Sequence, residues 1–185
     1  MAAAKRRAGR KPAKKTRTAP RKRKLPPFGI RTILVPIDFS IHSRNALKYA
    51  VPFAEKFGAA LRLVYVVEPT IYPADLGFGQ VVLPGVEEEL REKGEDELRS
   101  LVDREIGRRV KSSSVVRSGN PHQEILREAE DAGVEMIIVA THGHSGVEHM
   151  LFGSTAERIV RRSPVPVLII RPQSASGEPA TSSVR

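Results

Sequence analysis

The sequence predicts an α/β domain in which a parallel β-sheet is covered by helices on both faces. Three short segments, ILVPID (33–38), LRLVYVV (61–67) and VEMIIVA (134–140), are apolar without polar–apolar alternation, which is the pattern of strands buried on both faces. Segments with apolar residues at helical spacing lie between them. Because parallel strands need crossover connections, which helices usually supply, the alternation favours a parallel sheet.

The basic residues of the 185-residue chain are concentrated at its N-terminus. Residues 1–29 contain twelve Lys or Arg and no Asp or Glu, whereas the rest contains 19 basic and 21 acidic residues, a net charge of −2. The N-terminal segment also has four prolines and too few large apolar residues to bury a core. We therefore predict a disordered basic arm (1–29), one folded domain (30–172) and a flexible polar tail (173–185).

The first helix and the second strand have clear boundary signals. Ser40 is suited to cap a helix whose apolar residues recur at helical spacing up to Phe57. Gly58 stands where a left-handed helix end is expected. The apolar strand 61–67 follows.

The middle of the domain is more polar. Residues 69–85 hold three prolines and three glycines and are interpreted as a loop or lid. A charged helix is predicted over 86–106, with an inner side formed by Leu90, Leu98, Leu101, Val102 and Ile106. Residues 110–117 are a weaker strand prediction, and their three serines indicate a sheet edge. Pro121 fits the first turn of a short helix that extends to about residue 133.

The last part of the domain contains the loop ATHGHSGVEHMLFGST (140–155), a helix predicted over 154–163 and a strand over 165–170. Asp38 follows the first strand, and Ala140 ends the fourth. Open parallel sheets bind ligands outside the carboxyl ends of their strands, where the strand order reverses. If these two strands are neighbours at that point, both of the loops that follow them face one crevice.

The start of the last predicted helix is suited to an anion. Gly153, Ser154 and Thr155 lie where the N–H groups of a first helical turn and the helix dipole favour negative charge, and two hydroxyl groups add donors. The loop lacks the G-x-x-x-x-G-K-[ST] spacing of a P-loop. From spacing alone, two interpretations stay open: a phosphate site, or glycines that turn the chain and a serine that caps the helix.

The same segment resembles the signature of the universal stress protein family, G-x-x-G-x(9)-G-[ST], which reads here Ala140-x-x-Gly143-x(9)-Gly153-Ser154. Four further segments match family patterns in the same order: ILVPIDFS (33–40), LVYVVEP (63–69), SGNPHQEIL (118–126) and SPVPVLIIRP (163–172). The resemblance covers about residues 30–172. It implies a Rossmann-like, adenine nucleotide alpha hydrolase-like fold, with an open five-stranded parallel sheet of order 3-2-1-4-5 and helices on both faces.

The resemblance also implies ATP as the ligand, with Mg²⁺ bound through its phosphates. By position, Asp38 would meet the adenine or ribose edge, Pro36 would shape that pocket and Val66 would pack on the base. The residues that would line the ribose are Ala140, Thr141 and His142. Those that would hold the phosphates are Gly143, Gly153, Ser154 and Thr155.

Ala140 departs from the family pattern, which has glycine at this position. A positive φ there would cost alanine about 1 kcal/mol or more and weaken binding, whereas a negative φ would change little. The effect of this alanine therefore depends on the backbone conformation at the end of the fourth strand.

The sequence indicates binding more than catalysis. The histidines of the loop (His142, His144 and His149), with Glu148 as a nearby carboxylate, are a poor ligand set for zinc, so no metal site made of protein ligands is predicted. The loop also offers no activated nucleophile and no lysine. We expect a stress-response or signalling module whose output is its ligand state. Slow ATP hydrolysis, aided by a metal chelated on the phosphates, stays open as an alternative.

A homodimer is expected from the resemblance, because in the family the last strand pairs antiparallel with its copy across a two-fold axis. Here that strand is 165–170, an apolar strand that would invite aggregation if its edge were bare. Coverage of the edge by the polar C-terminal tail is the rival interpretation.

The basic arm allows three interpretations: a solvated tail, a segment that binds nucleic acid non-specifically through phosphates, or an organellar transit peptide. A competing hypothesis makes the domain a ligand-free dimerisation unit and the arm its functional, nucleic-acid-binding part. No apolar run approaches the roughly 18 residues of a membrane-spanning helix, and the chain has no cysteine. We therefore expect no membrane contact and a cytoplasmic location, at the nucleoid if the arm binds DNA.

Overall fold

The computed structural model describes residues 29–68, 85–141 and 152–171. Within these ranges five strands and four α-helices alternate: β1 (Thr32–Pro36), α1 (Ile41–Phe57), β2 (Ala60–Val67), α2 (Val86–Leu101), β3 (Ser112–Ser118), α3 (Pro121–Asp131), β4 (Met136–Ala140), α4 (Ser154–Arg162) and β5 (Val167–Ile170). In this part of the chain, no helix combines the length and the apolar composition needed to cross a bilayer. The described residues do not include the predicted tail. They include only Gly29 of the predicted arm and only Gly85 of the predicted loop 69–85.

The strands form one parallel sheet in the order β3-β2-β1-β4-β5. This confirms the predicted order 3-2-1-4-5, including the edge position of β3. Strand β1 lies between β2 and β4, so the connection that leaves β1 and the one that leaves β4 diverge to opposite faces of the sheet. The carboxyl ends of β1 and β4 are therefore neighbours, as the crevice prediction required.

Each face of the sheet is covered by its own pair of helices. On one face, Ile33 and Val35 pack in a core that includes Leu47 of α1 and Leu98 of α2. On the other face, β1 and β2 contribute to a second core with residues of α3 and α4: Leu34, Val64, Ile125, Ala129, Ala156 and Ile159. Because neighbouring residues of a strand point to opposite faces, strands packed on both sides are apolar throughout, which explains the sequence pattern.

Helix α1 begins and ends at the predicted residues. The Ser40 hydroxyl accepts a hydrogen bond from the Ser43 N–H (3.2 Å), which satisfies a donor of the first turn. At the other end, Gly58 has a φ of +67°, a left-handed conformation that glycine adopts without a steric cost.

Some details of the elements differ from the predictions. The helix predicted over 86–106 ends as an α-helix at Leu101 and continues as a π-helical turn, Val102–Ile106. Leu90, predicted on the inner side of that helix, lines the crevice instead of the core and is 37% exposed. Strand β5 begins at Val167 rather than at 165, since Pro164 and Pro166 have no N–H to donate to a neighbouring strand.

The burial of His122, in the first turn of α3, is expected to make the stability of the fold depend on pH. Its side chain is buried, and its Nε2 has no hydrogen-bond partner among the described residues. Burial lowers the pKa of His122, and the positive charges of Arg158 and Arg162 on α4 lower it further. The unfolded chain therefore takes up this proton first as the pH falls, so the stabilising effect is complete above about pH 6.5 and is lost below it.

We expect the free energy of unfolding in urea to fall between pH 7.5 and pH 5.5 by a larger amount in the wild type than in His122→Phe. The variant keeps a buried ring and removes the titration. An equal fall in the two proteins would contradict the prediction.

Candidate functional site

A crevice of about 670 Å³ opens at the carboxyl ends of β1, β2 and β4. Its walls also include the middle of α2 and the start of α3 and α4. This volume is within the usual range of roughly 300–1,000 Å³ for small-molecule sites. The crevice lies where β1 and β4 separate, which is the position that the fold favours for a ligand.

Most of the residues predicted for the site line this one crevice. They are Pro36, Asp38, Val66, Ala140, Thr141, Gly153, Ser154 and Thr155. The other two predicted residues, His142 and Gly143, lie outside the described residues, as do His144 and His149. Among the residues that the structure describes, no group of three His, Asp or Glu side chains is arranged to hold a metal ion.

Asp38 has a structural role as well as a place in the crevice wall. Its Oδ1 accepts hydrogen bonds from the Ser40 N–H (3.0 Å) and from the Ser40 hydroxyl (2.6 Å). Ser40 in turn caps α1, so the carboxylate is held at the end of β1 by the start of the following helix. Asp38 therefore supports the residue that caps α1 and lines the crevice at the same time.

The first turn of α4 brings backbone donors to the crevice. Gly153 is the N-cap and has no side chain to accept from this turn, and its own N–H donates to the Thr141 carbonyl (2.7 Å). The N–H groups of Ser154 and Thr155, like those of every first helical turn, have no acceptor within the helix. With the helix dipole, which contributes about 0.3–1 kcal/mol per charge, they make this end of the crevice favourable for an anion.

The alanine at position 140 causes no backbone strain. Ala140 is the last residue of β4 and is buried. Phe39 is the one residue other than glycine with a positive φ among the described residues, so Ala140 has a negative φ that alanine adopts freely. The methyl group therefore adds volume to the wall without a conformational cost.

An aromatic pair at the other end of the crevice was not predicted. Phe39 and Tyr65 both line the crevice, with ring centroids 4.8 Å apart. Phe39 has a φ of +62°, a left-handed conformation that costs a non-glycine residue about 1 kcal/mol or more. Their positions next to Asp38 and Val66 were a signal in the sequence, since Phe39 follows the first predicted strand and Tyr65 lies near the carboxyl end of the second.

The aromatic end of the crevice is acidic. Asp38, Glu68 and Glu97 line it, and Lys93 of α2 is the one basic side chain among the described lining residues. The pKa of Tyr65 is raised by burial and then by the negative charges of Glu97, Asp38 and Glu68. The crevice thus has an acidic aromatic end and, at α4, an end suited to an anion.

The chain is similar to known proteins in sequence and in structure. A model described as the Universal stress protein family matches residues 29–171. Universal stress protein MJ0577 of Methanocaldococcus jannaschii is 31% identical over 155 residues, which covers 76% of this chain and 94% of the relative. The solved structure of MJ0577 has a TM-score of 0.65 at 26% identity and covers 80% of this chain and 100% of that chain.

Two more distant solved structures contain nucleotides. One is a universal stress protein in complex with cAMP, at 19% identity and a TM-score of 0.54, covering 78% of this chain and 98% of that chain. The other is the universal stress protein from Archaeoglobus fulgidus in complex with dAMP, at 17% identity and a TM-score of 0.52. It covers 76% of this chain and 96% of that chain. At these identities the likeness establishes a shared fold.

Proposed function

This chain belongs to the universal stress protein family, and from that membership we propose that its crevice binds an adenine nucleotide, with ATP as the ligand and Mg²⁺ held by the phosphates. The observation that carries the proposal is the polarity of the crevice. The first turn of α4 favours phosphates at one end, and the acidic aromatic end excludes them and offers apolar surface to a base.

The proposed orientation gives each wall a role. The N–H groups and hydroxyls of Ser154 and Thr155, with Gly153, would hold the phosphates. Asp38 would accept from the ribose hydroxyls or the adenine amine, and Val66 would pack on the base. Ala140 and Thr141 would line the ribose, while the roles of His142 and Gly143 stay predictions from the family motif.

Two observations support an adenine nucleotide. The cAMP and dAMP complexes demonstrate that the shared fold can hold an adenine nucleotide. In this chain, the acceptor-rich end of the crevice suits the hydrogen-bond donors of a ribose and an amino-purine.

Binding without efficient turnover fits the residues that line the crevice. Lys93 is the only basic side chain among the described lining residues, and it lies on α2 rather than at α4. Fast phosphoryl transfer relies on cationic groups that stabilise the transition state. We therefore propose that the nucleotide state is the output in stress response or signalling, with slow hydrolysis as the alternative.

The direct test is a search for nucleotide in the full-length protein. We expect mass spectrometry of denatured protein to detect ATP carried through purification. We also expect Mg-ATP at 100 times its Kd to raise the free energy of unfolding by about 2.7 kcal/mol. The absence of both effects would favour a ligand-free dimerisation domain, and release of phosphate over many turnovers would favour a hydrolase.

We also propose that the chain forms a homodimer through β5. Strand β5 is at the sheet edge, and the carbonyls of Pro166 and Ile170 accept hydrogen bonds from β4. By alternation, the N–H of Ile169 points away from β4, where it can pair with a second chain. Light scattering should give twice the chain mass of 20.4 kDa for the wild type and the mass of a single chain for Ile169→Pro. A dimer that survives this change would contradict pairing through β5.

A second candidate function concerns the basic arm, because the basic residues are segregated into it. We propose that residues 1–29 bind nucleic acid through phosphates, without sequence readout, since no aromatic residue lies among the charges. If about six charges contact duplex phosphates, log K should fall with log salt at a slope of roughly −5. A chain that lacks residues 1–29 and binds DNA equally well at low salt would end this proposal.

A further inference from the structure

Tyr65 has a fixed place in the crevice that the family motif does not assign. It lies near the carboxyl end of β2, is half-buried, and packs against the core shared by α1 and α2. Its neighbour Val66, to which the motif assigns contact with the base, packs against the other face of the sheet. The two residues therefore present side chains on both sides of the same strand end.

Helix α2 contains a glycine where this ring approaches. Gly94 is buried in the middle of α2, and a Cβ atom built on it would lie 2.6 Å from Cδ1 and 2.8 Å from Cε1 of Tyr65. Both distances are far below van der Waals contact. The ring thus occupies the space that any other residue at position 94 would fill.

Phe39 contacts the ring as well. The two ring centroids are 4.8 Å apart at an interplanar angle of 55°, within the range of favourable aromatic pairs. With Gly94, this contact holds the Tyr65 ring in one position before any ligand arrives. A ring that is already ordered loses little entropy when a ligand packs against it.

The charges around the ring indicate which part of a nucleotide it would meet. Asp38, Glu68 and Glu97 line this end of the crevice and repel phosphates. The Tyr65 hydroxyl is neutral at physiological pH, and burial and the nearby carboxylates raise its pKa further. A planar, uncharged base is the part of a nucleotide that suits an aromatic wall with these neighbours.

We propose that Tyr65, held by Gly94 and Phe39, is a specificity-determining residue that forms the aromatic wall for the nucleobase. This inference rests on the proposed nucleotide binding and extends it to α2, whose glycine sets the position of the wall. The ring contributes to recognition of the base and not to recognition of the phosphates.

The test compares ATP with inorganic triphosphate, a probe without a base, by calorimetry on the full-length protein. We expect Tyr65→Leu to weaken ATP binding roughly tenfold or more and to change triphosphate binding by less than twofold. Tyr65→Phe keeps the ring and should lose no more than about threefold for ATP. The matched control is Tyr49→Leu, because Tyr49 is an exposed tyrosine of α1 outside the crevice lining; it should bind both ligands like the wild type.

Gly94→Ala tests the same aromatic wall by changing the helix residue that the Tyr65 ring contacts. The added methyl group must displace the ring, so we expect the loss for ATP to approach that of Tyr65→Leu, again with triphosphate spared. The inference is overturned if Tyr65→Leu binds ATP within twofold of the wild type, or if it loses ATP and triphosphate equally. A wild type that binds neither ligand overturns the proposed function, and this inference with it.

Discussion

Ser154→Asp is expected to weaken ATP binding by about 100-fold or more. Ser154 lines the crevice at the first residue of α4, where the proposed function places the phosphates. Two unit charges about 4 Å apart interact by roughly 4 kcal/mol near a protein surface, and salt screening of an exposed side chain lowers that figure. Because a triphosphate carries several negative charges, the summed repulsion is expected to reach the roughly 2.7 kcal/mol that corresponds to 100-fold.

The same substitution should leave the fold intact. A carboxylate at the start of a helix interacts favourably with the helix dipole, so the free energy of unfolding should stay constant or rise by about 0.5 kcal/mol. Calorimetric titration with Mg-ATP and unfolding in urea measure the two effects separately. A loss of binding with full stability would assign the loss to the site.

The control for charge is Ser113→Asp, which adds the same carboxylate to an exposed serine of the edge strand β3. It changes the net charge equally and should leave ATP binding within twofold of the wild type. If Ser154→Asp binds ATP as the wild type does, the first turn of α4 does not hold the phosphates.

The fold was predictable because its signals are local. The strands around β1 are apolar on both faces, and the ends of α1 carry side chains suited to capping, Ser40 and Gly58. The order of the strands came from the family resemblance and was confirmed. The π-helical turn after Leu101 could not be foreseen, since a helical spacing of apolar residues does not distinguish an α-helix from a local π-turn.

The candidate site was predictable only where it follows the strand ends. Asp38, Val66 and Ala140 all lie at or just beyond the ends of strands, so the topology alone brings them together. The wall formed by α2 depends on how that helix packs over the sheet. From the sequence alone, Gly94 is a residue of low helix propensity within a charged helix. Only the structure shows that the Tyr65 ring occupies the space where a side chain at position 94 would lie.

The charges of α3 were also beyond sequence analysis. The segment PHQEILREAED reads as a helix with a solvated polar face, yet Glu128 is only 2% exposed. Its Oε1 accepts from Arg62 Nε of β2 (2.8 Å), and its Oε2 accepts from Arg117 Nε of β3 (2.6 Å). The spacing of charged residues along a helix does not show which of them is buried in an ion pair with neighbouring strands and which is exposed to solvent.

Glu128→Ala is therefore expected to lower the free energy of unfolding by about 3 kcal/mol. The change leaves Arg62 and Arg117, whose side chains are 26% and 21% exposed, without the carboxylate that accepts from both. Removing one partner of a buried ion pair typically costs about 3–5 kcal/mol, and the partial exposure of the arginines places this case at the lower end. Unfolding in urea at neutral pH measures the loss.

The matched control is Asp131→Ala, which removes a second carboxylate from the same arginine. Asp131 accepts from Arg117 Nη2 (2.6 Å), but its side chain is 57% exposed, so water replaces it and the loss should stay below about 1 kcal/mol. Both changes remove one negative charge from α3 and one acceptor from Arg117, so the larger loss expected at Glu128 measures its burial together with its second partner, Arg62. Equal losses would mean that α3 is held to β2 and β3 mainly by Ile125 and Ala129, and that the buried carboxylate adds no more than a surface ion pair.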